Sequence, residues 1–233
     1  MHEYPIVYAA KSQDPEIVKK SSSGGMFTVL SDWFIERGYP VACSVFNYET
    51  NRPEFRMLSE AGQRDQARGS KYTQSTMQTI FREAETYLKQ SEENRLLFVG
   101  TGCQAAAFMA YMEQKHLREQ VTAVDLICHG VPSPRLLQDY LKHLTGGRID
   151  RIEYKDKRKG WEHPTALIEK DGKEILLNRK FFYHAAAIRP SCNQCPYTSV
   201  NRRTDLTIGD FWGIAEKIPE LYDPDGVSLV LIH

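Results

Sequence analysis

Two consecutive stretches of the chain share one layout, and this layout constrains the fold more than any other feature. The apolar run Leu96 to Val99 precedes a glycine-rich turn and an alanine-rich stretch. A second run, Val121 to Ile127, precedes a polar turn and a helical stretch that Ser133 can cap and Pro134 can begin. Because strands that alternate with helices pack into sheets covered by helices, this layout predicts an α/β fold.

Further apolar runs extend the pattern along the chain. Ile6 to Ala10 and Val41 to Phe46 predict strands. Apolar residues between Phe27 and Ile35 recur at helical spacing, and Thr76 to Leu88 also predicts a helix. We therefore expect a mixed sheet with flanking helices.

The character of the sequence changes near residue 148. Asp171 and Gly172 stand between two apolar runs, which predicts a β-hairpin. We expect an α/β part over residues 1–147 and a smaller α+β part with the hairpin over residues 148–233. The last apolar run, Val227 to Ile232, reaches the chain end without a closing element. This favours a fragment of a longer protein, truncated at the C-terminus.

Composition excludes several function classes. The 233 residues carry 30 basic and 30 acidic side chains, which argues against a cationic nucleic-acid binder. Hydrophobic residues make up 41%, so the chain can build a core and is not intrinsically disordered. No apolar run approaches the ~20 residues of a membrane span. The start of the sequence lacks a secretory signal, so we expect a cytoplasmic location. From the balanced charge we expect no nucleic-acid partner.

The cysteines carry the densest chemical signal. Cys192 and Cys195 form a C-x-x-C pair, and Cys103 and Cys128 each follow a predicted strand. Ligands collect at the carboxyl ends of strands in open α/β sheets, so the four thiols can share one site. Four thiolates suit a 4Fe–4S cluster or structural zinc, and spacing does not separate the two. A redox dithiol and simple core packing are the alternatives, and Cys43 is expected to be a core residue.

Two glycine turns can cradle an anionic ligand. Ser23, Gly24 and Gly25 precede a predicted helix, where backbone N–H groups and the helix dipole favour a phosphate. Gly100 and Thr101 form a second such turn at a strand end. The alternative for the serine turn is an ordinary helix cap.

A third polar turn combines a cation with an aromatic ring. Ser70, Lys71 and Tyr72 can position a ligand that is planar or carries a phosphate. The alternative is a helix entry capped by Ser75.

The C-terminal half adds weaker candidates. Asp210 ends a predicted strand, where it either caps a turn or contacts a ligand. Trp212 either packs in the core or lies beside a cluster or a flavin ring. The basic stretch from Arg148 to Lys159 is either a solvated face or a landing surface for an anionic cofactor tail.

Six motifs occur in a fixed order along the chain. They are Ser23-Gly24-Gly25, Ser70-Lys71-Tyr72-Thr73-Gln74-Ser75, Gly100-Thr101-Gly102-Cys103-Gln104, Asp125-Leu126-Ile127-Cys128-His129-Gly130-Val131-Pro132-Ser133, Cys192-Asn193-Gln194-Cys195 and Asp205 to Gly213. Together these motifs resemble the beta-subunit family of coenzyme F420 hydrogenases and dehydrogenases. The resemblance runs from about residue 5 to the end of the chain.

The resemblance implies a flavin- and iron–sulfur-dependent oxidoreductase. It implies FAD and one 4Fe–4S cluster, with the matching cysteines as ligands and the helix-start glycines and the Ser70 to Ser75 turn as flavin contacts. Electrons would pass between the cluster and a hydride carrier or substrate, coenzyme F420 among them. A flavin can mediate because it exchanges electrons in pairs or singly. A redox partner protein or a ferredoxin-type module would complete the chain of electron transfer. The cluster ligands implied in this way are Cys103, Cys128, Cys192 and Cys195.

The sequence also departs from this family. Gly102 stands where the family usually has Pro, and no C-x-x-C-x-x-C ferredoxin run is present. No protein acid or base is assigned, and Asp210 and Lys71 are the candidates for polar groups near the flavin ring. Two other functions stay open: a non-catalytic, zinc-stabilised subunit or scaffold, and a thiol–disulfide enzyme that uses the C-x-x-C pair.

Overall fold

The computed structural model describes residues 4–178, 182, 184 and 186–233. Strands in this part of the chain form two sheets, one of seven strands and one of three. In chain order the strands are β1 (Ile6–Ala10), β2 (Val41–Asn47), β3 (Arg52–Leu58), β4 (Leu96–Thr101), β5 (Val121–Leu126), β6 (Arg151–Asp156), β7 (Thr165–Lys170), β8 (Lys173–Leu176), β9 (Leu206–Asp210) and β10 (Ser228–Ile232).

Helices connect these strands. The α-helices of the described residues are α1 (Pro15–Lys19), α2 (Met26–Ile35), α3 (Ala61–Ala67), α4 (Ile80–Leu88), α5 (Gly102–Gln114), α6 (Pro134–Thr145) and α7 (Ile214–Lys217). Short 3₁₀ helices cover Arg118–Gln120, Pro190–Gln194 and Pro219–Leu221. Within the described ranges, no helix has the length and apolar character needed to cross a membrane.

The large sheet is mixed. Its strand order is β1-β10-β9-β5-β4-β2-β3. Strands β2, β4, β5 and β9 pair in parallel, whereas the remaining pairs are antiparallel. The predicted α/β fold with a mixed sheet and flanking helices is confirmed.

The central strands are apolar throughout because helices cover both faces of the sheet. Phe98 of β4 stacks on Phe108 of α5 at a centroid distance of 4.1 Å. Leu97 and Val99 point to the opposite face, where they pack with α2 and α3. Cys43 lies in this second cluster with 2% exposure, as expected for a core residue. The resulting layers hold the strand ends in fixed positions.

The small sheet follows the order β6-β7-β8 and packs against α6. Its core includes Leu137 and Leu141 of the helix and Ile152 and Ile168 of the sheet. Asp171 and Gly172 have φ angles of 49° and 72° in the β7–β8 turn. Left-handed residues at both central positions fit a tight hairpin, so the predicted hairpin is confirmed.

The predicted helix from Thr76 was wrong at its start. Helix α4 begins at Ile80, and Thr76 instead forms a bridge to β3: Phe55 N donates to Thr76 O at 2.9 Å. Ser75 therefore caps no helix, and its hydroxyl bonds to Ser44 Oγ at 2.6 Å. Tertiary pairing with an edge strand overrides local helical spacing here.

The division into residues 1–147 and 148–233 stays a prediction. The three strands of the small sheet all fall in the second range. Strands β9 and β10 fall in the same range, but they belong to the large sheet. The second range therefore completes the sheet that the first range begins.

Candidate functional site

Parallel strands β4, β5 and β9 end at one edge of the large sheet. Thr101 of β4 lies beside Leu126 of β5, and Leu126 lies beside Ile208 of β9. On each of the three strands, a residue with a reactive side chain lies two positions after this row. The residues two positions beyond the row are Cys103, Cys128 and Asp210.

Cys103 occupies the first turn of α5. Thr101 precedes this helix, and its backbone N–H donates to Gln104 Oε1 at 3.1 Å, which fixes the helix start. The Cys103 sulfur is exposed and lies 3.3 Å from Thr101 Oγ1.

Cys128 lies on the loop that follows β5. Gly130 N donates to its sulfur at 3.3 Å. Burial raises the pKa of the Cys128 thiol, and the neighbouring charges of Cys103, Cys192 and Cys195 add to the rise. Cys128 is therefore within electrostatic range of the other three predicted ligands.

The C-x-x-C pair reaches this edge on the 3₁₀ helix Pro190–Gln194. Backbone pairing holds the segment beside the Cys128 loop, because Arg189 N donates to Val131 O at 3.1 Å. Gly130 has a φ of +118°, and a β-carbon there would lie 3.1 Å from Cys192 Cβ. Glycine at this position thus permits the close approach of the two cysteine-bearing segments.

The thiols are not gathered as tightly as the ligands of one metal ion. Within the described ranges, no group of three or more His, Cys, Asp or Glu side chains is placed to hold such an ion. The four cysteines come from three segments of the chain.

The serine–glycine turn packs on the same sheet edge. Ser23 Oγ donates to Val227 O at 2.7 Å, and Gly24 N donates to Ser228 Oγ at 3.0 Å. A β-carbon at Gly24 would lie 2.4 Å from Ala10 O, so this glycine is needed for packing against β1. Gly25 immediately precedes α2 and has a φ of +90°. Its position provides no side-chain hydrogen bond to the first turn of the helix.

The second polar turn contacts the first. Ser70 N donates to Ser22 Oγ at 3.0 Å, and the two hydroxyl oxygens lie 3.1 Å apart. Tyr72 stacks on His129, with ring centroids 5.8 Å apart. His129 follows Cys128 in the chain, so the second turn links the serine–glycine turn to the cysteine edge.

Lys71 points back into the protein. Its ammonium donates to the carbonyl oxygens of residues 67–69 at 2.5–3.1 Å. These carbonyls end α3, where a cation is favoured by the helix dipole. Burial lowers the pKa of Lys71 to about 8.

Asp210 forms an ion pair with Lys155 of β6. Trp161 Nε1 donates to the other oxygen of Asp210 at 3.1 Å. The indole of Trp212 is 52% exposed and stacks on Trp161 at 4.9 Å, so the expected core packing of Trp212 was wrong.

Burial lowers the pKa of His129, and the charge of Lys155 lowers it further.

The basic stretch of β6 is not simply a solvated face. Lys155 is buried in its ion pair. Lys157 Nζ donates to Val18 O and Asp225 O, both at 2.6 Å, and it tethers α1 to the segment before β10. Neither lysine was predicted individually, because alternation of basic and acidic residues is typical of a solvent-exposed strand.

A buried ion pair was also missed. Asp125 of β5 accepts from Arg202 Nη1 at 2.7 Å, and the two side chains are 1% and 8% exposed. The available signal was a carboxylate inside the apolar strand Val121–Leu126, which requires a buried partner.

A shallow surface depression of about 730 Å³ lies between α4 and α5, far from this edge. Lys115, in its lining, follows the last residue of α5, whereas Cys103 lies in the first turn. A helix of this length separates the two by roughly 20 Å.

Together the fold and the site define an α/β protein with four cysteines, two joined polar turns and a buried Lys–Asp pair at one sheet edge. Two family models match the chain, and both describe the beta chain of "Coenzyme F420 hydrogenase/dehydrogenase". The model of its N-terminal part matches residues 7–82, and the model of its C-terminal part matches residues 93–233. The chain belongs to the beta-subunit family of coenzyme F420 hydrogenases and dehydrogenases, a family of oxidoreductase subunits. The resemblance drawn from the six motifs is confirmed.

A solved structure shares the fold. A chain from a xenon derivatization of the F420-reducing NiFe hydrogenase complex of Methanosarcina barkeri is 19% identical, with a TM-score of 0.68. The match covers 100% of the present chain and 76% of that chain. No curated protein matches the sequence.

Proposed function

We propose that this oxidoreductase subunit holds FAD and one 4Fe–4S cluster at the carboxyl edge of the large sheet and passes electrons between a hydride carrier and the cluster. The main support for the proposal is that Cys103, Cys128 and Asp210 each lie two residues after the paired residues Thr101, Leu126 and Ile208 of neighbouring parallel strands. Two of the proposed cluster ligands therefore lie at the same edge of the sheet as the end of β9. The serine–glycine turn packs beside this end of β9.

Cys103, Cys128, Cys192 and Cys195 would hold the cluster. In a 4Fe–4S cluster each thiolate binds a different iron atom, so the ligands stand farther apart than around one tetrahedral zinc ion. We favour the cluster over zinc because the family consists of oxidoreductase subunits, and a cluster transfers electrons whereas zinc has no redox chemistry.

The two polar turns would hold the flavin. The ten-residue helix α2 begins at Met26, and Gly25 before it supplies no side-chain cap, which leaves the positive end of the helix suited to the FAD phosphates. The hydrogen bond between Ser70 and Ser22 fixes the second turn beside this helix start. Glycine at position 25 adopts the φ of +90° at this helix start, and a β-carbon there would lie 2.9 Å from Ile17 Cγ2.

His129 connects the two proposed cofactor regions. It is covalently next to Cys128 and stacks on Tyr72 of the second turn. When bound, FAD supplies exchange of electron pairs with a hydride carrier and of single electrons with the cluster. The protein's part is to hold the two regions adjacent and to keep their polar groups in place.

Lys155 supplies a fixed positive charge at this edge. Asp210 and the ring of Trp212, 5.2 Å from the ammonium, hold it in position. We assign it to orient an anionic group of the flavin or of the hydride carrier, and we assign no protein acid or base.

The family and the structural neighbour both name coenzyme F420, so we propose this deazaflavin as one hydride carrier to test. Because the neighbour is a chain of a hydrogenase complex, we also propose a redox partner subunit or a ferredoxin-type module as electron acceptor or donor.

An anaerobic absorption spectrum tests the proposal, together with iron, sulfide, zinc and flavin analysis of protein produced with iron supplied. We expect broad iron–sulfur absorbance, about four irons per chain and a releasable flavin. A colourless protein with stoichiometric zinc would overturn the redox role and establish the structural module instead.

The thiol–disulfide alternative is less well supported. The C-x-x-C pair lies on a 3₁₀ turn of residues 190–194 rather than at the start of an α-helix. The pair therefore lacks the helix dipole that lowers the pKa of attacking thiols in such enzymes.

A further inference from the structure

We propose that Arg202 is a positioning residue that holds all three cysteine-bearing segments in one arrangement. Together with Asp125 and the space left by Gly102, it sets where the four thiolates stand. The inference rests on the proposed cluster site, and it names residues outside the ligand set.

Asp125 anchors the arrangement from inside the sheet. Its Oδ2 accepts from Arg202 Nη1 at 2.7 Å, and its Oδ1 accepts from Thr204 Oγ1 at 3.2 Å and from the Thr207 hydroxyl. Asp125 lies three residues before Cys128 on the same strand and loop. A shift of Asp125 is therefore expected to change the position of Cys128.

Arg202 also closes the loop that follows the C-x-x-C pair. Its Nε donates to Ser199 O at 2.6 Å, four residues after Cys195. One guanidinium thus joins the end of β5 to the C-x-x-C segment. Its planar, fixed set of donors suits this double attachment.

Gly102 brings in the third segment. It directly precedes Cys103, and a β-carbon there would lie 2.8 Å from Arg202 Nη1 and 2.9 Å from Tyr197 Cβ. The absence of a side chain at this residue makes room for both groups. The segments of Cys103, Cys128 and the C-x-x-C pair therefore meet at Arg202.

This arrangement acts on ligand geometry. Groups that orient metal ligands from behind tune the metal centre, and their loss typically costs 10–100-fold in metal affinity. The neighbouring Arg203 is exposed and provides a control, because Arg203→Gln removes the same kind of side chain one position away without touching the Asp125–Arg202 pair.

The test compares Asp125→Asn/Arg202→Gln with Arg203→Gln. Arg202→Gln alone would leave a buried carboxylate unpaired, which threatens folding, so both partners are neutralised together. Gly102→Ala is the second variant: it keeps both charges but places a methyl group against Arg202 and Tyr197.

The first readout uses metal-free, reduced protein and needs no cofactor. Alkylation of Cys192 and Cys195 by iodoacetamide, followed by mass spectrometry, should be several-fold faster in the double variant and in Gly102→Ala than in wild type or Arg203→Gln. Cys43 is the internal control for folding, because burial raises its pKa to about 12 and a folded protein should protect it.

The second readout uses protein reconstituted with iron and sulfide. Iron retention should fall about tenfold or more in the double variant, and the reduced cluster should show altered electron paramagnetic resonance. Unchanged alkylation in both variants with Cys43 protected, or unchanged resonance and iron retention, would overturn the positioning role. Faster alkylation in a protein that never binds iron would support the positioning of the thiols and overturn the proposed cluster.

Discussion

The cysteine edge and the two polar turns lie side by side, but they use their functional atoms differently. In the turns, Ser23 and Lys71 donate to backbone carbonyls of the protein itself. At the cysteine edge, the contacts made by the described sulfurs are weak ones, from Gly130 N to Cys128 and between Thr101 and Cys103. The polar side chains of the turns hold the turns in shape, whereas the described sulfurs contribute little to holding their own segments.

This difference teaches how to interpret a motif residue. A serine or lysine in a binding turn can hold the turn in shape while the backbone meets the ligand. A cysteine at a strand end gains little from the protein, because its sulfur is a poor hydrogen-bond partner. The prediction that a motif side chain contacts a ligand is therefore better supported for the cysteines than for Ser23 and Lys71.

The largest expected effect breaks the cysteine edge. Cys192→Ser should abolish the iron–sulfur absorbance and lower bound iron by more than half, because a hydroxyl is a much weaker ligand for iron than a thiolate. Absorption spectra and iron analysis of the purified variant measure this. Cys43→Ala is the control, since Cys43 lies in the core, and it should keep its iron. Equal iron in both variants would remove Cys192 from the ligand set.

The next effect concerns the buried ion pair that borders both regions. Lys155→Met should lower the free energy of unfolding by about 3 kcal/mol, because it leaves Asp210 without its buried partner. Urea unfolding measures this change. Lys11→Met is the control, because the Lys11–Asp223 pair is more exposed and its loss should cost less than about 1 kcal/mol. Similar losses in the two variants would contradict a special role for Lys155.

A smaller effect tests the turns directly. Ser23→Ala should lower the free energy of unfolding by about 1 kcal/mol, since the Val227 carbonyl loses its donor. Flavin affinity should stay unchanged if the hydroxyl serves the turn alone. Denaturant unfolding and a flavin titration measure the two quantities. Unchanged stability with weakened flavin binding would show that Ser23 contacts the ligand instead.

The smallest effect is a dependence on pH. Burial holds the pKa of Lys71 at about 8, below the 10.5 of a free lysine. Between these values the unfolded chain binds the proton that the folded chain has released, so Lys71 makes the free energy of unfolding rise with pH. Lys71→Met removes this contribution, and its stability relative to wild type should fall from pH 8 to pH 10.5.

Comparison of variants is needed because other groups oppose this trend. Burial raises the pKa of Cys43 to about 12, which makes stability fall above pH 9 in every variant that keeps Cys43. The exposed Lys159→Met serves as the control and should track wild type. A Lys71→Met curve parallel to wild type would show that Lys71 keeps its ordinary proton affinity in the fold.

Local sequence was sufficient for most elements of the fold. The two strand–turn–helix repeats, the hairpin at Asp171 and the helix that begins at Pro134 follow from periodicity and turn chemistry, and the structure contains them. Only the start of the helix predicted from Thr76 was wrong: Thr76 forms a bridge with β3, and the helix runs from Ile80 to Leu88. A pairing between distant segments leaves no trace in local periodicity.

The candidate site divides in the same way. The order of motifs was sufficient to predict the family. That Cys103, Cys128, Cys192 and Cys195 are cluster ligands stays a prediction. Lys155, Asp125 and Arg202 were not visible as supporting residues, because their partners lie 55 to 77 positions away.

The sequence by itself therefore determined the alternation of strands and helices, the turn glycines and the identity of the thiols, because each depends on a few neighbouring residues. Tertiary structure alone decided that β9 and β10 complete the large sheet and that Cys103, Cys128 and Asp210 share one offset. It also decided that Lys71 and Ser23 are bound by the protein's own backbone. The physical reason is that register and buried ion pairs are set by packing between segments far apart in the chain.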